Sequence, residues 1–203
     1  KIVTCNGRGK NLSIIDPVSD KLIDSVYLGG KPETAVSDEA GKMFINIEDK
    51  NEIAVVDTRS FKVVQHWSIA PGDGPSGLAI DQVTKRLFAG CDKFLMVVDA
   101  ANGKIVDKIK IGDGCDGVAF DPSSNIIYCS NGDGTLTVIR EINPGKFVVL
   151  ENVETKKSAR TLALDKTSHL LYLPAAEFEA PVPGEKGRPK MKPGTFQVLV
   201  IGQ

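Results

Sequence analysis

Two glycine runs, two histidines, four cysteines and a scatter of carboxylates are the residues of this chain that could carry chemistry. Gly72, Gly74 and Gly77 in GDGPSG, and Gly112, Gly114 and Gly117 in GDGCDG, both satisfy G-x-G-x-x-G, the spacing with which a helix N-terminus cradles a pyrophosphate. That use requires a helix after the glycines. Each run is followed instead by a short apolar stretch that stops on Asp81 or Asp121, without helical periodicity. No nucleotide, and no other cofactor, is expected. His66 and His169 have no evident partner in the sequence, so neither a hydrolase triad nor a histidine metal site is predicted. Asp73, Asp113, Asp116 and Asp133 could meet calcium in loops, yet they form no dense D-x-D-x-D run. No catalytic residue and no metal ligand is assigned, and the residue set points away from an enzyme.

The elements that would position any site are written four times. PETAVSDEAGKMFIN begins at Pro32, PSGLAIDQVTKRLFAG at Pro75, CDGVAFDPSSNIIYCS at Cys115 and ARTLALDKTSHLLYLP at Ala159. Each copy places an aspartate at the end of its first strand (Asp38, Asp81, Asp121, Asp165) and an aromatic ring in the next (Phe44, Phe88, Tyr128, Tyr172). Self-similarity at about 40 residues signals a β-propeller. Period-two alternation rich in β-branched residues predicts four short strands per copy, a to d from the axis outward. The repeated aspartates are read as turn-formers that accept backbone N–H bonds at strand ends.

The expected fold class is all-β, a propeller of four-stranded antiparallel blades, with five blades represented in one domain spanning 1–203. Their bounds are 1–28, 32–69, 75–111, 115–151 and 159–201, and an insertion at 175–194 joins strands b and c of the last. The first blade lacks its inner strand and the last its outer one, which predicts eighteen strands, unpaired edges at both ends, and further sequence before Lys1. A ring of five blades and one of seven both fit this arithmetic. Neutral overall charge, −1 at pH 7, favours neither nucleic acid nor an anionic membrane surface, and no apolar run is long enough to span a bilayer.

Cys5, Cys91 and Cys129 fall in b strands, where cysteine packs as a small hydrophobe. Cys115 replaces the proline of Pro32 and Pro75 and is expected to be partly exposed. No C-x-x-C pair is present, and the even count leaves a disulfide open.

The unit xPxxxAxD, followed by GKxFIN or NIIYCSN, then xLxVID and GKxVxxIxxG, resembles the YVTN-repeat β-propellers, the YncE-like proteins of bacteria. The resemblance covers most of the chain. It implies a seven-bladed ring, export to the periplasm or cell surface, and a family mostly of unknown activity with some links to DNA binding or adhesion. Related propellers include lactonases and dehydrogenase subunits, so a lactonase-like hydrolase or a dehydrogenase-associated propeller is the alternative function.

In a propeller the d–a and b–c loops open on one face around the channel mouth, where variation among repeats can create specificity. Five residues before each anchor aspartate the sequence changes charge: Glu33, Ser76, Asp116 and Arg160. The b–c loops add Arg8, Glu48, Asp92, Asn131 and Glu177. These nine residues are the candidate site of a non-catalytic binding module for a small polar ligand, a polymer or a protein. The insertion, with Pro181, Pro183, Pro189 and Pro193 among basic residues, is expected to be an extended loop, since prolines resist sheet pairing. Its basic 186–192 segment offers nucleic acid a secondary route.

Overall fold

A computed structural model describes residues 1–180 and 189–202. Among these residues eighteen strands form five antiparallel sheets, the blades of a β-propeller. The first sheet holds β1 (Ile2–Asn6), β2 (Asn11–Asp16) and β3 (Lys21–Tyr27), and the second β4 (Pro32–Ser37), β5 (Lys42–Ile47), β6 (Glu52–Asp57) and β7 (Lys62–Ser68). The third holds β8 (Leu78–Asp81), β9 (Arg86–Gly90), β10 (Phe94–Asp99) and β11 (Ile105–Lys110). The fourth holds β12 (Cys115–Asp121), β13 (Ile126–Asn131), β14 (Thr135–Asn143) and β15 (Lys146–Glu154), and the fifth β16 (Ala163–Asp165), β17 (Leu170–Ala175) and β18 (Gln197–Ile201). Strands follow one another across every sheet in chain order, and β4, β8, β12 and β16 are successive inner strands in contact. A short 3₁₀ turn, Glu48–Lys50, is the helical segment among the described residues, so no helix follows either glycine run. No helix of the described residues is long and apolar enough to cross a membrane.

Alternation puts one apolar row of each strand on each face, and the core is therefore a set of layers between sheets. Phe44, Ile53, Val55 and Trp67 of the second sheet meet Leu87, Ala89, Met96 and Val98 of the third. The repeated aromatic is the centre of such a layer. Phe88 is fully buried, with ring centroids 5.3 Å from Phe120 and 6.0 Å from Phe147. In the last sheet the same position, Tyr172, is 36% exposed, and Val198 and Val200 beside it are also exposed, because no further sheet of the described residues packs on that flank.

The repeated aspartates hold turns. Asp38 accepts the Ala40 and Lys42 amides, Asp81 the Val83 amide, Asp121 the Ser123 amide and Asp165 the Thr167 amide. Asp16, Asp57 and Asp99 do the same after the c strands. At Asp16, Asp57, Asp121 and Asp165 such bonds favour the ionised form. The Val18 amide and Ser19 hydroxyl hold the Asp16 carboxyl below its ordinary range, the Ser60 amide and hydroxyl do so for Asp57, and the Ser168 hydroxyl and Thr167 amide for Asp165. For Asp121 burial pushes upward, but hydrogen bonds from Ser123, His169 and Ser124 outweigh it. A carboxylate depressed by folding contributes stability that is present above its unfolded pKa and lost as pH falls through the folded one. The melting temperature should therefore stay level from neutral pH down to about 5 and fall steeply below about 4, where unfolded aspartates titrate. Scanning calorimetry across that range checks it.

Two expectations are corrected here. The insertion is paired at its base: Phe178 bridges Met191 antiparallel, the Glu179 amide donates to the Lys190 carbonyl at 2.8 Å, and the Lys192 amide to the Glu177 carbonyl at 2.9 Å. The paired residues keep their N–H groups, because the prolines flank them in sequence rather than occupying those rungs. The 181–188 stretch, with Lys186 and Arg188 of the basic segment, lies outside the described residues. The histidines do have partners. His66 Nδ1 lies 3.2 Å from Glu52 Oε2, and His169 Nδ1 lies 2.8 Å from Asp121 Oδ2 in the preceding blade. His169 stands in the a–b turn at φ 59°, the left-handed position that Lys85 and Asn125 fill in other repeats, so repeat geometry delivers it to its neighbour's aspartate.

Candidate functional site

The loop-face site begins with irregular pairing. β4 and β5 lose register between Pro32 and Ala35, and β12 and β13 between Cys115 and Gly117. Glu33 lies in the first irregularity and Asp116 is the extra residue of the second. Bulges re-aim side chains next to functional sites, and here they occur at the mouth end of an inner strand.

The glycines around them permit close approach. A Cβ on Gly77 would stand 2.7 Å from the Val118 amide nitrogen and 2.8 Å from the Gly117 carbonyl carbon. One on Gly117 would stand 2.6 Å from Ser130 Oγ and 3.1 Å from the Arg160 carbonyl oxygen. The third glycine of each G-x-G-x-x-G run thus lets neighbouring inner strands pack near the axis. The second, Gly74 or Gly114, takes the left-handed conformation, with φ 58° and 69°. The spacing that mimics a nucleotide motif is a device for turning from one blade into the next.

Asp116 is the hub of the mouth. Its Oδ1 accepts the Ser76 hydroxyl at 2.7 Å, from the preceding blade, and its Oδ2 lies 3.4 Å from Arg160 Nε of the following one. Ser130 Oγ donates to the Arg160 carbonyl at 2.5 Å, and Asn46 Nδ2 to the Ser76 and Gly77 carbonyls at 3.2 and 2.9 Å. These bonds tie four successive blades together, from the second to the fifth. They frame a cleft of about 310 Å³ lined by Glu48, Asp73, Ser76, Asp92, Cys115, Asp116 and Arg160. Four carboxylates face one guanidinium there. Arg160 keeps half its side-chain surface exposed, so it remains reachable from solvent.

Five of the nine residues expected at the mouth, Glu48, Ser76, Asp92, Asp116 and Arg160, line this one cleft. Glu33 is set aside by Lys31, whose ammonium lies 2.7 Å from it and also contacts Glu48. Asn131 is buried, its amide donating to Thr135 and Thr137, and takes no part in the cleft. Arg8 lies apart in the turn between β1 and β2. Glu177 belongs to the insertion and pairs with Lys192 at 3.3 Å. Asp73, two residues before Pro75 and in sequence only a calcium candidate, joins the cleft as well; its place beside Asp92 follows from the Asp92 amide donating to the Asp73 carbonyl.

The expected exposure of Cys115 is also corrected. Its side chain is buried against Gly90 of the third sheet, which supplies no side chain at that point. A hydrogen bond involving Cys129, together with burial, pushes the Cys115 thiol well up, and burial pushes Cys91 up to about 12. Both thiols are therefore held in the protonated form at neutral pH, the less nucleophilic state. All four cysteines are free thiols. Among the described residues no group of His, Cys, Asp and Glu is arranged to hold a metal.

The His169, Asp121 and Ser123 group contains the residue types of a hydrolase triad but not its geometry. Ser123 Oγ lies 3.4 Å from the same Nδ1 that meets Asp121, whereas proton relay needs the hydroxyl and the carboxylate on opposite ring nitrogens. The group also sits in a–b turns, on the face away from the cleft. It is a clasp between the fourth and fifth sheets.

No protein-family model matches the sequence, and no curated protein matches it. Solved structures do match in shape. Hydrazine synthase from Kuenenia stuttgartiensis superposes with a TM-score of 0.73 at 17% identity, over 98% of this chain and 58% of that one. A chain of the mitotic checkpoint complex gives 0.73 at 15% identity, over 84% of this chain and 56% of that one. The chain therefore spans somewhat over half the length of these neighbours. Likeness at such identity establishes the propeller architecture and nothing of the activity, the more so because 1140 chains of solved structures resemble it.

Proposed function

We propose that this propeller is a non-catalytic binding module whose ligand or partner is recognised at the Asp116 cleft. The observation that carries this is the position of Asp116 itself: the extra residue of a bulge, held by Ser76 of one neighbouring blade and Arg160 of the other. A side chain fixed from both sides, at a place where the repeats differ, is pre-organised for contact. With Glu48 already paired by Lys31, the carboxylates of Asp73, Asp92 and Asp116 against one guanidinium still favour a ligand that brings positive charge or several hydrogen-bond donors. Membership of the YVTN-repeat family, and with it a periplasmic or surface location in a bacterium, is the finer proposal, supported by the repeat wording alone.

A lysine-rich peptide is a suitable probe. Titration calorimetry at low salt should detect its binding, and Asp116→Asn should weaken it by about tenfold, as loss of one charge-assisted contact does. Asp133→Asn, outside the cleft, should leave it unchanged. Equal binding by all three proteins, or none by the native one, would overturn the assignment.

A further inference from the structure

The loop face carries a second recess of opposite charge. Where the fourth blade passes into the fifth, Lys156, Lys157 and Ser158 face Ala176, Glu177, Phe178 and Lys192 across an open pocket of about 490 Å³. Lys192 is paired with Glu177, but Lys156 and Lys157 have no carboxylate partner among the described residues. Phe178 and its bridge partner Met191 are both about half exposed, so an apolar edge lies beside the ammonium groups. Its two sides are joined by hydrogen bonds. Ser158 adopts φ 78°, a left-handed conformation unusual for a residue with a side chain, and its hydroxyl both donates to the Ala176 carbonyl at 2.9 Å and accepts from the Ala176 amide at 3.3 Å.

We infer that this recess receives an acidic, apolar-containing segment of a protein partner, on the reading that the adjoining Asp116 cleft is itself a binding site. Carboxylates of the partner would lie against Lys156 and Lys157, and one of its apolar side chains against Phe178. A protein fits better than a nucleic acid because of what stands next to the lysines. Arg160, two residues beyond Ser158 in the chain, already contacts Asp116 and lines the acidic cleft. At physiological ionic strength charges act over about 8 Å, so a uniform polyanion lying on the lysines would be repelled where it continued across the mouth. A polypeptide can set acidic residues over one recess and basic residues over the other. Like-charge contacts exclude the wrong partners and opposite charges fix the register.

The test is fluorescence anisotropy with labelled probes: a short peptide having a glutamate- and leucine-containing half and a lysine-containing half, the same peptide with the glutamates replaced by glutamine, and a short oligothymidylate. Both lysines are exposed, so K156E/K157E should fold as the native protein does. The mixed peptide should bind, and its affinity should fall by about tenfold or more in K156E/K157E and by about tenfold on losing its glutamates. Phe178→Ala should weaken it several-fold without changing its salt dependence. A mixed peptide indifferent to K156E/K157E but lost in Asp116→Asn would overturn the recess and leave the cleft standing. Tighter binding of the oligothymidylate, abolished by K156E/K157E, would overturn the protein partner, and absence of binding by any probe would remove both sites.

Discussion

Phe88→Ala should destabilise the protein by about 3–5 kcal/mol, the range for deleting a fully buried aromatic. Few positions have as much to lose. Phe88 stands in β9 with no exposed surface, and its ring meets Phe120 of β12 and Phe147 of β15. The truncation removes the apolar area of the ring and leaves a void that two neighbouring rings cannot fill by small shifts, since both are anchored in strands. Domains of this size commonly hold only about 5–15 kcal/mol in total. The variant should therefore unfold at much lower urea concentration with an unchanged slope. A loss below about 1 kcal/mol would mean that the layer between the third and fourth sheets is not packed as described. Tyr172→Ala, at the same repeat position on the uncovered flank, should cost far less, which turns the pair into an internal control.

Gly77→Ala should be nearly as damaging, although it adds a single methyl group. The new carbon would meet backbone atoms of Gly117 and Val118 well inside contact distance. Backbone of an inner strand cannot swing aside as a flexible side chain can. The third and fourth blades must then separate near the axis, at about 3 kcal/mol or more for an overpacked site without an easy escape. Gly7→Ala, where the nearest atoms lie 3.4 Å away in the Lys31 side chain, should change stability by only a few tenths of a kcal/mol. Because Gly77 follows Ser76, Gly77→Ala should also loosen the Ser76–Asp116 contact and weaken probe binding at the cleft. Normal stability together with normal binding would contradict the close approach of the inner strands.

The strand ladder was legible because its determinants are local. An aspartate that caps a turn and an aromatic six or seven residues later mark the same two strands in every copy, and alternation supplies the rest. The mouth-face residues were partly legible for the same reason, as their phase in the repeat fixes which end of a strand they occupy. Contacts between copies were not. His169 meets Asp121 from 48 residues away, Cys115 is buried by an absence of side chain at Gly90, and Asp73 gains its place through a backbone bond to Asp92. Each depends on how one blade lies against the next, and no spacing within a copy encodes that. The ribbon at Phe178 and Met191 was missed for a different reason. Proline density describes the insertion as a whole, whereas pairing is decided rung by rung.

That ribbon leaves the sheet beneath it undisturbed. β17 and β18 stay paired without interruption from Leu171 opposite Ile201 to Ala175 opposite Gln197, although more than twenty residues separate the two strands. Closing a longer loop adds only about 0.6 kcal/mol per doubling of its length. The 175–197 junction is consequently a natural splice point. A fluorescent reporter or a foreign epitope grafted there would be displayed on a stem the propeller already supports, next to the recess proposed to receive a partner.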